Sequence, residues 1–74
     1  MAKEKRIALY KLIWVKIRCW QSLQDVSDSD LAFILQISER TLKDYDKNAG
    51  NVTLEKLDRF LYANHMDLQQ LIGL

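Results

Sequence analysis

Arg40, Lys43 and Lys47 stand three and four residues apart, so on a helix they fall within one narrow stripe. Three cations on one face are what neutralising a phosphate backbone requires. An arginine in such a row can also hold two acceptors on a guanine edge, a discrimination of about 1–3 kcal/mol. The competing use of Arg40 is an i, i+4 pair with Asp44. That pair is worth roughly 0.2–0.5 kcal/mol, too little to keep the guanidinium from turning to a base. Acids crowd the same stretch: Asp25, Asp28, Asp30, Glu39, Asp44 and Asp46. Phosphates repel carboxylates, so each acid needs its own account. At a groove, Glu39 or Asp44 could accept from a cytosine amine. Their plainer use is a solvated helix face.

Other chemistries find little material. Gly50 and Gly73 are the only glycines, and no phosphate-cradling loop, nucleophile–base pair or metal-ligand spacing is present. No enzyme, metal or other cofactor is expected. His65 is expected at a helix end, and Cys19 on a packed face as an inert thiol. A lone cysteine in a chain without a signal peptide fits the reducing cytoplasm. The apolar run over residues 7–23 is interrupted by Lys11, Lys16 and Arg18, so no membrane span is expected.

The elements that position the stripe follow from caps and periodicity. With 74 residues there is room for one domain, and a chain this short buries only about 60% of its unfolded surface. A well-packed core, a dimer, or both must supply its stability. No proline and no alternating Val/Ile/Thr run occurs, so the expected class is all-α. A long first helix is expected over residues 3–23, with Leu9, Ile13, Ile17 and Trp20 facing the core. Tyr10 and Trp14 lie outside that stripe and are expected at a subunit interface. The alternative is a small core that wraps most of the helix.

Ser27 can cap a second helix, with Asp28 and Asp30 favoured in its first turn by the helix dipole. Leu31, Ile34 and Leu35 face inward from it, and Ala32 allows close contact. Ser38 caps a third helix over about 38–47, with Leu42 and Tyr45 inward and the basic stripe outward. Residues 48–51 form a turn. Thr53 caps a fourth helix whose Leu54, Leu57, Phe60 and Leu61 pack inward, and Asp67 caps a short last turn carrying Leu68, Leu71 and Ile72.

With the caps placed, residues 27–74, about two-thirds of the chain, resemble the Cro/C1-type helix-turn-helix family, also called lambda-repressor-like or xenobiotic-response-element regulators. The resemblance rests on Ser27, Leu31-Ala32, Ile37-Ser38, Arg40-Thr41-Leu42, Tyr45-Asp46, Thr53-Leu54, Leu57 and Asp67 to Leu71, in order and at matching spacing. It implies a compact five-helix bundle with a helix-turn-helix core at about 27–48. It also implies that Glu39, Arg40 and Asp44 face bases, that Lys43 and Lys47 lie beside phosphates, and that Asn48 meets the backbone from the loop. Asp46 matches an acid that pairs with a base on the first helix, for which Arg18 is best placed. The chain departs from the pattern at four places. Asp28 stands where Gln is usual, Gln36 and Asn48 where Gly is usual, and no proline lies near Val52.

Charge is divided along the chain. Residues 1–18 carry six bases against one acid, a net of +5, whereas residues 19–74 carry five against nine, a net of −4. Lys3, Lys5 and Arg6 form a candidate arm, over residues 1–6, along DNA or into a minor groove; a solvated terminus is the plainer alternative. Two functions are therefore carried forward. The first is a dimeric, sequence-specific regulator of bacterial or phage type that binds double-stranded DNA through the third helix. The second is a protein-interaction module on the same fold, an antitoxin-like or anti-repressor-like subunit whose first-helix aromatics grip a protein partner. The basic stripe favours the first, and the net −4 favours the second.

Overall fold

The computed structural model describes residues 6–74. Five helices follow one another: α1 (Leu9–Leu23), α2 (Asp28–Leu35), α3 (Glu39–Lys47), α4 (Leu54–Ala63) and α5 (Leu68–Ile72). A single 3-10 turn, Ala49–Asn51, joins α3 to α4, and the described residues contain no strand. The all-α expectation holds.

Each helix after the first begins at a side-chain cap. The Ser27, Ser38 and Thr53 hydroxyls accept from the amides of Asp30, Thr41 and Lys56 at 3.1, 3.1 and 3.2 Å. Asp67 and Gln70 form a reciprocal capping box. α1 differs. It starts at Leu9 and not near residue 3, because Ala8 precedes it in an extended conformation with no side chain able to cap the free amides. Lys3 and Lys5 of the candidate arm lie outside the described residues; Arg6 precedes α1 and is exposed.

Three helix ends share one device. Asp25, Gln36 and His65 take positive φ, at 60°, 58° and 51°. After each, the next amide reaches back five residues: Val26 to Gln21, Ile37 to Ala32, and Met66 to Leu61, at 3.0, 2.9 and 2.9 Å. These are Schellman motifs, and their hydrophobic clasp is complete, because Val26, Ile37 and Met66 all pack against the core. Asn48 behaves differently from the glycine it was expected to replace. Its φ is −147°, ordinary extended backbone, and its Oδ1 instead accepts from the Gly50 amide at 3.0 Å.

The core gathers Ile13, Trp14 and Ile17 of α1, Leu31 and Leu35 of α2, and Leu42 and Tyr45 of α3. Ala49, Leu57, Phe60 and Leu71 complete it. Trp20 meets Phe60 edge-on with ring centroids 4.9 Å apart. Two expectations need correction. Trp14 is a core residue, only 4% exposed, and so cannot serve a subunit interface; the wide apolar arc of α1 reflects a core that wraps the helix. Tyr10 does remain half-exposed. Conversely, Leu9 and Leu54, expected inside, are exposed, as is Leu68. Each is the first residue of its helix. Helical side chains lean toward the N-terminus, so a first-position leucine projects past the helix end, beyond the packed layer.

Gln36 carries a conformational strain that glycine would relieve. An L-residue in the left-handed region costs roughly 1–2 kcal/mol, while glycine gives back about 0.5–1 kcal/mol of unfolded-state entropy. Gln36→Gly should raise stability by up to about 1 kcal/mol in urea melts, with Gln36→Ala near wild type. A destabilised Gln36→Gly would contradict this account of the turn.

Candidate nucleic-acid interface

The site is built around one guanidinium. Arg18 projects from α1 toward the beginning of α2 and the end of α3. Its Nε and Nη2 donate to the two carboxylate oxygens of Asp46, at 3.0 and 2.5 Å, a bidentate fork. Its Nη1 donates to Asp28 Oδ1 at 2.8 Å and to Gln21 Oε1 at 2.6 Å. Gln21, buried, passes its own amide on to Asp28 Oδ1 at 2.7 Å. From the other side the Trp14 indole N–H donates to Asp46 Oδ1 at 2.8 Å, while the Trp14 ring lies 5.6 Å beneath the guanidinium carbon. The same ring meets Tyr45 edge-on at 5.3 Å.

The expected pairing of Asp46 with Arg18 is therefore present, and the network is larger than expected. Gln21 and Trp14 were not foreseen as its members. The signal was there in part: Trp14, Arg18 and Gln21 stand four and three residues apart and share a face of α1. What the spacing lacked was the chain separation of the partners, with Trp14 and Asp46 32 residues apart.

Both carboxyls are held below the ordinary carboxylate range. For Asp28 the first cause is the hydrogen bond from Gln21, followed by that from Arg18. For Asp46 it is the hydrogen bonding from Arg18, with burial opposing and the Trp14 N–H assisting. The Arg18 guanidinium is raised in turn, chiefly by Asp46.

Outward of this network lies α3. Ser38, Glu39, Arg40, Lys43, Asp44, Lys47 and Asn48 are all exposed, while Leu42 and Tyr45 anchor the helix inward. Among the described residues Arg40 and Asp44 form no ion pair, and Arg40 and Lys47 have no ionic partner. Lys43 does have one, Asp28 Oδ2 at 3.8 Å, with its own side chain 65% exposed. Lys11, unforeseen, lines with Lys47 and Asn48 a shallow hollow floored by Trp14 and Tyr45. It lies two turns before Arg18, on the same face of α1.

The acids thus divide. Asp46 and Asp28 are bound into the network, Asp30 sits in the first turn of α2, and Asp25 forms a left-handed helix end. Glu39 and Asp44 alone share the exposed face of α3 with the cations. Among the described residues no three His, Cys, Asp or Glu side chains gather as a metal site would need, and no helix is long and apolar enough to cross a membrane. Cys19 is half-buried, and His65 follows the end of α4.

A second feature lies at the far end of α1. Leu9, Tyr10, Ile13, Val52, Thr53, Leu54 and Leu57 line an apolar groove, closed on one side where Tyr10 lies against Gly50. A Cβ on Gly50 would stand 3.4 Å from the Tyr10 ring and 3.1 Å from Asn48 Oδ1.

Compared with known proteins, the chain matches no protein-family model, no curated protein and no solved structure.

The network sets a stability ordering and its pH dependence. Asp46→Ala leaves the Trp14 N–H and half of Arg18 without acceptors. Charged hydrogen bonds are worth about 1.5–3 kcal/mol; partial solvent exposure of the Asp46 carboxylate lowers the expected loss to about 1–2 kcal/mol. Glu39→Ala, on the open face, should cost under about 0.5 kcal/mol. Because the folded carboxyls titrate below their unfolded value of about 3.9, their contribution is fully present well above that value. It is lost as pH falls through about 4 and on through the lower folded values. Urea midpoints followed with pH should therefore drop below about pH 4 for wild type and less steeply for Asp46→Asn. Equal midpoints for Asp46→Ala and Glu39→Ala at neutral pH would remove Asp46 from this role.

Proposed function

We propose that the protein is a sequence-specific DNA-binding regulator that lays α3 in the major groove of double-stranded DNA and acts as a homodimer. One observation carries the reading. The exposed face of α3 offers Arg40 and Lys47, without ionic partners among the described residues, and a loosely held Lys43, while Asp28 and Asp46 are absorbed by Arg18. The resemblance to Cro/C1-type domains supports the same assignment, with α2 and α3 as the helix-turn-helix pair. Lys43, Lys47 and Asn48 then meet phosphates, with Lys11 beside them, and Arg40 reads a base edge with Glu39 and Asp44 as neighbours. The basic arm proposed from Lys3, Lys5 and Arg6 is an assignment from the sequence, of which Arg6 alone lies among the described residues, exposed ahead of α1.

A mobility-shift assay against random duplexes at two salt concentrations tests this directly. Lys43→Ala and Lys47→Ala should weaken binding to all sequences alike and each lower the salt slope by about one per dimer half. Arg40→Ala should instead relax preference at one base pair per half-site. Wild-type protein that binds no duplex at low salt would sink the reading.

The apolar groove favours a second reading, a protein-interaction module on the same bundle. Ile7, Leu9, Tyr10 and Leu54 are all more than half exposed near or along it, an uncommon cluster for so small a surface. A homodimer formed there reconciles the two readings. On that account Tyr10→Ser combined with Leu54→Ser sediments as folded monomer where wild type sediments as dimer. A wild type that is monomeric at high concentration leaves the groove to a different protein.

A further inference from the structure

We infer that Asp28 restrains nucleic-acid binding by holding Lys43, so that one carboxylate oxygen lowers the affinity that the α3 stripe would otherwise reach; the inference rests on the DNA-binding reading above. The charges of the network point to it. Arg18 and Lys43 stand against Asp28 and Asp46, two cations to two anions. Arg18 is unevenly divided between the acids. Two of its three nitrogens are taken by Asp46, and the third is shared between Asp28 and Gln21. Asp28 is therefore only partly neutralised from within, and Lys43 supplies the remainder.

The two oxygens of Asp28 have separate tasks. Oδ1 is the structural one, accepting from Arg18 Nη1 at 2.8 Å and from Gln21 Nε2 at 2.7 Å. Oδ2 faces Lys43 Nζ at 3.8 Å. A phosphate approaching Lys43 must draw the ammonium away from Oδ2, or else settle beside a carboxylate that repels it. Lys43 is exposed enough to make that swing, so the restraint is modest and competitive, of the size of a surface ion pair. Lys47 has no such partner among the described residues and is free of it.

This separation makes Asp28→Asn a selective test. The amide oxygen can keep both Oδ1 hydrogen bonds, while an uncharged NH2 replaces Oδ2. Binding of random-sequence duplex at about 50 mM salt should tighten about two- to fivefold in Asp28→Asn, the factor an exposed ion pair supplies. The gain should vanish when Lys43→Ala is already present and persist in full when Lys47→Ala is. Asp28→Gln, neutral at the same helix start, should show the same gain and serves if Asp28→Asn folds poorly. No gain in either folded variant, or a gain undiminished by Lys43→Ala, overturns the inference while leaving DNA binding intact. Failure of wild type and variants alike to bind any duplex at low salt overturns the DNA-binding reading, and this inference with it.

Discussion

Everything on the α3 face depends on how Arg18 shares its five N–H donors. One guanidinium, planar and always charged, meets the last turn of α3 through Asp46 and the first turn of α2 through Asp28. It thereby fixes two helices against a third with directional bonds, where apolar packing alone would permit sliding. The Trp14 ring beneath it and the Trp14 N–H on Asp46 tie the same cluster into the core. A lysine at position 18 could satisfy one carboxylate but not present a fork to one and a single donor to the other.

That arrangement also decides what the exterior can do. Asp28 and Asp46 are turned to structural use, while Glu39 and Asp44 share the exterior with the remaining cations. Charge on this chain is therefore informative by position and not by sum. The net −4 of residues 19–74 predicts little, because Asp28 and Asp46 are compensated by an arginine from the other, basic part of the chain. The apolar groove between the start of α1 and the start of α4 adjoins the hollow beside α3 at Tyr10, which lines both.

Much of the fold was legible because capping is local chemistry. Ser27, Ser38, Thr53 and Asp67 each announce a helix start, and each makes the expected bond three residues on. Periodicity identified Ile13, Ile17, Leu31, Leu35, Leu42, Leu57 and Phe60 as core. It misplaced Leu9 and Leu54 because a period specifies the face of a helix but not where the packed layer ends. Trp14 was misplaced for a related reason, since nothing within α1 reveals that Asp46 and Tyr45 wait for it. Arg18 and Asp46 were paired through family resemblance, whereas Gln21 and the Lys43 contact depend on tertiary geometry that no local pattern encodes. The left-handed residues Asp25 and His65 were equally silent, as neither is the glycine that usually marks such an end.

On the proposed function, α3, held by Arg18, is the surface that meets DNA. Backbone amide NMR shifts, recorded while duplex DNA is titrated into labelled protein at low and then at moderate salt, test it most directly. The account predicts perturbations concentrated from Ser38 to Asn48 and at Lys11, reversed as salt rises, with the amides of Tyr62 and Phe33 unmoved. Perturbations confined to the Leu9, Tyr10 and Leu54 groove, or none at all at low salt, would contradict it.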